Sequence, residues 1–177
     1  MQKFIEAPYL ELENYKAPKG ANFIFIPMPD NKKIRLAYWR KDKLNEKIVG
    51  TVLLQQGHNE FIEKYYECIQ ELLDRNFNVV CFDWRGQGMS DRMIEDLNKQ
   101  YIEDFSIHTK DLSYIINEVV YKNFTGPLFG IGHSMGGHLL LLSQKYNQKN
   151  FKAIILSAPM LGFKYEKILF LLSNCMR

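Results

Sequence analysis

Cysteine is scarce in this chain: Cys68, Cys81 and Cys175 are the only three. An odd number without metal-ligand spacing excludes a disulfide framework, and it fits a reducing compartment in which cysteines are packing residues. Charge is unconcentrated as well. The net charge is +3 with 24% charged residues, and basic and acidic side chains are interleaved throughout, so no patch argues for nucleic acid. Long apolar runs are missing. The most apolar stretches, Ala153 to Phe163 and Ile168 to Met176, are too short and too interrupted to span a bilayer. Residues 1–20 mix Glu6, Glu11 and Glu13 with Lys16 and Lys19 and hold no continuous apolar core, so they do not read as a signal peptide. A soluble cytoplasmic protein is expected, with peripheral contact at the inner face of a membrane left open.

One further absence bears on chemistry. Beyond Ser134 there is no aspartate, and no histidine after His138.

What is present suffices for one domain over 1–177. With 46% hydrophobic residues, a chain of this size buries roughly 70% of its unfolded surface. Asn22–Ile26 and Lys33–Trp39 are strand-like and joined by a Pro-Met-Pro-Asp-Asn turn, which predicts an antiparallel hairpin. Strand-like Ile48–Leu54 precedes Ile62, Tyr65, Tyr66, Ile69, Leu72 and Leu73 at helical spacing. The alternation repeats: strand Val79–Phe82, a helix carrying Leu112, Ile115, Ile116, Val119 and Val120, strand Leu128–Ile131, helix Met135–Tyr146, strand Ala153–Leu156. Strands alternating with helices predict an α/β fold, a mostly parallel sheet with helices on both faces. Lys164–Arg177 reads as the start of another amphipathic helix.

The most informative run is Gly130-Ile-Gly-His-Ser-Met-Gly-Gly137, which follows an apolar strand and opens an apolar helix. From Gly132 to Gly136 it forms Gly-x-Ser-x-Gly, whose glycines allow a tight strand-to-helix corner that pushes the Ser134 hydroxyl above the sheet. The same glycines loosely fit a dinucleotide-binding turn. That reading needs an acidic residue near the end of the next strand, and Asn147 to Tyr165 contains none.

Three segments in order resemble the α/β-hydrolases of the lysophospholipase and monoacylglycerol lipase type, within the serine aminopeptidase-like group. Gln56-Gly-His-Asn-Glu-Phe-Ile-Glu-Lys-Tyr65 is similar to the family's His-Gly-x-Gly-Glu-x-x-x-Arg-Tyr loop, with Gln56 for histidine and Asn59 for glycine. Asp83-Trp-Arg-Gly-Gln-Gly-Met-Ser90 resembles its Asp-x-Arg-Gly-x-Gly-x-Ser turn, and Gly132–Gly137 with Ser157-Ala-Pro-Met160 completes the set.

The resemblance implies a serine hydrolase cleaving acyl esters, lysophospholipids among them, without metal or cofactor. Ser134 is the implied nucleophile, and the backbone N–H groups of His58 and Met135 are the implied oxyanion donors. The Asp83–Ser90 turn is expected to be structural, with its charged pair tying the loop to neighbouring backbone, and His133 to pack beneath the nucleophile turn. Tyr65, Tyr66, Phe61 and Trp84 are read either as an acyl pocket or as core. In the family the activating histidine and aspartate follow later strands, so the chain is expected to hold six of eight family strands, without the cap. The competing expectation is a catalytically inactive truncated or split hydrolase that pairs with a complementary carboxyl-terminal fragment. Peptidase or other esterase specificity is the third.

Overall fold

Branched and aromatic residues at alternate positions give the central strands two apolar faces, because successive side chains of a strand point to opposite sides. In the computed structural model, which describes residues 5–41, 47–96, 99–146 and 151–162, β4 (Gly50–Gln55) and β5 (Phe77–Phe82) follow this pattern. Val52, Leu54, Val79 and Cys81 join one core, and Leu53, Val80 and Phe82 join the other. Strands buried on both faces need cover on both. The first core is closed by Ile62, Ile69 and Leu73, from a 3-10 turn (Ile62–Tyr65) and helix α1 (Tyr66–Asp74). The second is closed by Leu112 and Ile115 of α2 (Ser106–Ile115) and by Leu139 and Leu140 of α4 (Met135–Tyr146). Between α2 and the short α3 (Tyr121–Asn123), Ile116–Val120 winds as a π-helix. The periodic apolar face predicted over Leu112–Val120 is therefore one rod with a wider turn in its middle.

The sheet has seven strands in the order β1-β2-β3-β5-β4-β6-β7, the remaining members being β1 (Ile5–Glu6), β2 (Ala21–Pro27), β3 (Lys33–Trp39), β6 (Leu128–His133) and β7 (Ala153–Ser157). The predicted hairpin is β2 on β3, antiparallel, with Ile24 opposite Leu36. β4 pairs in parallel with β5 and β6, and β6 with β7. The six expected strands are present, and the two-residue β1, too short to show an alternation, adds a seventh. The apolar segment Lys164–Arg177 lies outside the described residues.

From β4 the chain moves to β5 on one side, and β6 is laid down on the other. That reversal makes the carboxyl ends of β4 and β6 a topological switch point, the usual place for a site in an open α/β sheet. Gln55 is opposite Gly132 across this pair, so the loops starting at Gln56 and at Ser134 emerge side by side.

Candidate active site

Ser134 caps β6 in a left-handed conformation, with φ of 49°, which strains a residue bearing a Cβ and is typical of functional turns. Backbone hydrogen bonds hold it there. Ser134 N–H donates to the Ser157 carbonyl at 2.9 Å, while the Ser134 carbonyl accepts from His138 N–H at 3.1 Å and Met160 N–H at 3.0 Å. The corner is closed so tightly that only glycine fits beside it. A Cβ on Gly132 would lie 2.6 Å from the Gly137 backbone, and one on Gly136 would lie 2.5 Å from the Gln55 carbonyl oxygen. The Ser134 residue itself is half-buried, at the amino end of α4.

The loop after β4 runs against this turn. A Cβ on Gly57 would sit 3.2 Å from the Ser134 Cβ. Asn59 takes φ of 60°, the conformation for which glycine is the usual choice, and short polar side chains tolerate it better than most. Its N–H donates to Gln87 Oε1 at 2.8 Å, and its side-chain oxygen accepts from Gln100 Nε2. Gln56 is fully buried: its carbonyl accepts from the Trp84 indole at 2.9 Å and its amide donates to Asp83 at 3.3 Å. The exposed His58 and the buried Met135 line one shared pocket of about 90 Å³.

Glu60, matched in its loop from sequence without a role, ties that loop to its surroundings. Its Oε2 accepts from Gly57 N–H at 2.7 Å and Tyr65 Oη–H at 2.6 Å and lies 3.0 Å from His133 Nδ1, while Oε1 accepts from Lys64 at 2.9 Å. Burial pushes the Glu60 carboxyl up, but the hydrogen bonds from Tyr65, His133, Lys64 and Gly57 outweigh it and hold it at about 2. Burial and the same carboxylate push the Tyr65 hydroxyl up, so it stays a donor. His133, expected to pack beneath the turn, instead has a 41% exposed side chain, whose Nδ1 lies 3.0 Å from the carboxylate that fixes the neighbouring loop.

Among the described residues, the side chain of none of the four histidines is hydrogen-bonded to the Ser134 hydroxyl. His138 stacks obliquely on Phe105 with centroids 5.8 Å apart. His108 is buried edge-on between Trp84 and Phe105, at 5.5 and 5.3 Å. Burial, aided by the Arg85 charge and His58, pushes its imidazole down to about 4, so it is neutral near pH 7.

The Asp83–Ser90 turn is a brace. Asp83 accepts from Ile62 N–H at 3.0 Å, Met89 N–H at 2.8 Å and Arg35 Nε at 2.7 Å, and Arg35 also grips both Glu63 carboxylate oxygens at 2.7 Å. Arg85 does not pair with Asp83; it holds Asp111 through two bonds of 2.8 Å and Asp30 at 2.5 Å. Trp84 and Tyr66 are core residues at 0% and 2% exposure and line neither of the two pockets beside the nucleophile turn. Tyr65 instead lines a cavity of about 350 Å³ with Glu60, Cys68, Ile131, His133 and Ser157. Among the described residues no helix is long and apolar enough to cross a membrane.

Residues 46–177 match the family described as serine aminopeptidase, S33. Lysophospholipase L2 of Escherichia coli (strain K12) is 31% identical over 111 residues, which cover 63% of this chain and 33% of that protein. The monoglyceride lipase of Rattus norvegicus is 25% identical over 132 residues, covering 75% of this chain and 41% of its own. The chain thus spans between a third and less than half of these curated relatives. A soluble variant of the monoglyceride lipase from Saccharomyces cerevisiae, solved with a substrate analog, superposes with a TM-score of 0.66 at 22% identity, over 96% of this chain and 54% of that one. It shares the fold.

Proposed function

This chain belongs to the serine aminopeptidase S33 family, and from that premise we propose that it is the nucleophile-bearing part of a serine hydrolase that cleaves carboxylic esters of the lysophospholipid or monoacylglycerol class. Ser134 Oγ attacks the ester carbonyl, the alcohol leaves with a proton, and water then hydrolyses the acyl-serine to free the fatty acid. The oxyanion formed in each step is received by the N–H groups of His58 and Met135, of which the second also lies at the positive end of the α4 dipole. Such donors are worth about 3 kcal/mol each in the transition state. The observation that carries the reading is the left-handed Ser134, φ 49°, stapled beside the Gly57–His58 loop.

A serine hydroxyl needs a base, and the base needs a carboxylate to orient it. Three of the four histidines have other partners, His133 at Glu60, and His108 and His138 against aromatic rings, and His58 is assigned here to the oxyanion loop. In this reading the base and its carboxylate come from a complementary polypeptide segment, and contact with lipid substrate brings the protein to a membrane surface. No step requires a metal or cofactor. The same observation favours a second reading, a binding or scaffolding chain without hydrolysis. Peptidase specificity has support in the family's description, whereas the lysophospholipase and monoglyceride lipase relatives support an ester.

The test is fatty-acid release from a monoacylglycerol and from lysophosphatidylcholine, with and without added imidazole, for the chain and its Ser134→Ala variant. The hydrolase reading expects release only with added base and only with Ser134. Release without added base would place the base among the histidines of this chain. No release under either condition favours the non-catalytic reading.

A further inference from the structure

Asn59 does two things where a glycine would do one. Glycine meets a left-handed φ of 60° without strain, and its N–H could equally donate to Gln87. What asparagine adds is a side chain, and that side chain is engaged: its oxygen accepts from Gln100 Nε2, 41 positions away. Gln100 belongs to residues 99–105, which lead into α2. Their carboxyl end is fixed, because Asp104 accepts from Ser106 N–H at 2.7 Å and Phe105 packs against His108 and His138. Nearer Lys99, the Gln100 bond ties them to the loop after β4.

The contact continues inward. Asn59 N–H donates to Gln87 Oε1 at 2.8 Å, and Gln87 Nε2 lies 3.9 Å from the Met135 sulfur. Gln87 is 3% exposed and stands on a rigid turn: its N–H donates to the Trp84 carbonyl at 2.9 Å, and a Cβ on the next residue, Gly88, would lie 2.1 Å from an Asp83 carboxylate oxygen. One buried amide thus bridges the residue after His58 and the residue after Ser134. Gln100, Tyr101, Ile102 and Phe105 wall the pocket of about 90 Å³ that His58 and Met135 also line, so residues 99–105 lie against both proposed oxyanion donors.

We propose that Asn59 is a positioning residue: the Gln100–Asn59 bond latches residues 99–105 onto the oxyanion loop and, through Gln87, holds the His58 N–H in register with the Met135 N–H. The catalytic consequence rests on the hydrolase reading, whereas the latch itself does not. Oxyanion donors act only when aimed at one point, and a misplacement of about 1 Å costs up to about 10²-fold in rate.

Three variants separate the side chain from the backbone that bears it. Asn59→Gly keeps the backbone conformation and the bond to Gln87 but deletes the latch, Gln100→Ala deletes it from the other side, and Gln100→Glu restores it with a turned Asn59 amide as donor. Trypsin reads the latch in Asn59→Gly, where the Lys99-Gln100 sequence is unchanged. Cleavage after Lys99 should rise about fivefold over the unaltered chain, the loss of one hydrogen bond. Hydrogen exchange over residues 56–61 reads the inner end: the Asn59 N–H should exchange about fivefold faster in Gln100→Ala and recover in Gln100→Glu. Labelling of Ser134 by a fluorophosphonate with added imidazole should slow about tenfold in Asn59→Gly and in Gln100→Ala, no further in the double variant, and recover in Gln100→Glu. Urea midpoints should stay together across the set, since aim is lost and not the fold. Unchanged cleavage or unchanged exchange would overturn the latch, and a labelling rate indifferent to its loss would overturn the positioning role. If Ser134 is unlabelled even in the unaltered chain, the hydrolase reading fails, and cleavage and exchange alone decide whether Gln100 holds the loop.

Discussion

The backbone N–H of Ser134 donates to the carbonyl of Ser157 at 2.9 Å, so the strained turn at the end of β6 is held by the end of β7. Ala158, next in the chain, is itself left-handed at φ 42°, and Met160 closes the loop by donating back to the Ser134 carbonyl. The bonds to Ser157 and Met160, on either side of the turn at Ala158, thus fasten the two strained turns to one another.

The close approach at this corner makes Gly136 intolerant of a side chain. Gly136→Ala would push a methyl to within 2.6 Å of the Gln55 and Gln56 carbonyl oxygens. We expect a loss of about 1–3 kcal/mol, the usual cost of overpacking, read by urea denaturation. Gly162→Ala, with nothing within 4 Å of the new atom, is the control and should stay within about 0.5 kcal/mol.

Arg35 is buried with 0% exposure between Glu63 and Asp83. Arg35→Met leaves two carboxylates without their cation and should cost about 3–5 kcal/mol, while a concurrent Glu63→Leu should restore part of it. Denaturant midpoints of the single and double variants measure both.

His108 sets a pH dependence of known sign. Its folded pKa of about 4 lies below the ordinary histidine value of about 6.5, so between these limits the unfolded chain binds the extra proton and stability rises with pH. Lowering the pH from 6.5 to 4 should remove up to about 3 kcal/mol through this group. His108→Phe should flatten that slope in a series of denaturation curves. Glu60, held at about 2, acts lower: its contribution is present above about 4.5 and is lost as pH falls through 2.

The alternation of strands and helices was legible because local periodicity encodes burial, and the Ser134 corner because its glycines answer a steric demand within a few residues. Asn59 shows the limit of that logic: a glycine conformation is met here by a side chain that also ties down Gln87 and Gln100. The Arg35 network joins residues 28 and 48 positions apart, and nothing in a strand reading 'Lys-Ile-Arg-Leu' marks its arginine as buried. Arg85 likewise finds Asp30 and Asp111 only once the fold exists. Glu60 and His133, 73 positions apart, meet because β4 and β6 are neighbours, a pairing that local pattern does not state.

Among the described residues β7 pairs with β6 alone and ends the sheet, and its alternate residues are exposed, Ile155 at 63%. An exposed apolar strand at a sheet edge invites association. The isolated chain should self-associate, and Ile155→Lys should raise the monomer fraction in size-exclusion chromatography with light scattering while leaving the thermal midpoint within a few degrees.

The central claim is that Ser134 is a built nucleophile waiting for a base. Reaction with a fluorophosphonate in the presence of added imidazole, followed by peptide mass spectrometry, tests it most directly. The account predicts a single adduct on Ser134, formed only with imidazole, absent from Ser134→Ala, and slowed roughly 10²–10³-fold when the Met135 backbone N–H is replaced by an ester oxygen. No adduct at Ser134, or equal labelling of Ser157 and other serines, would contradict it.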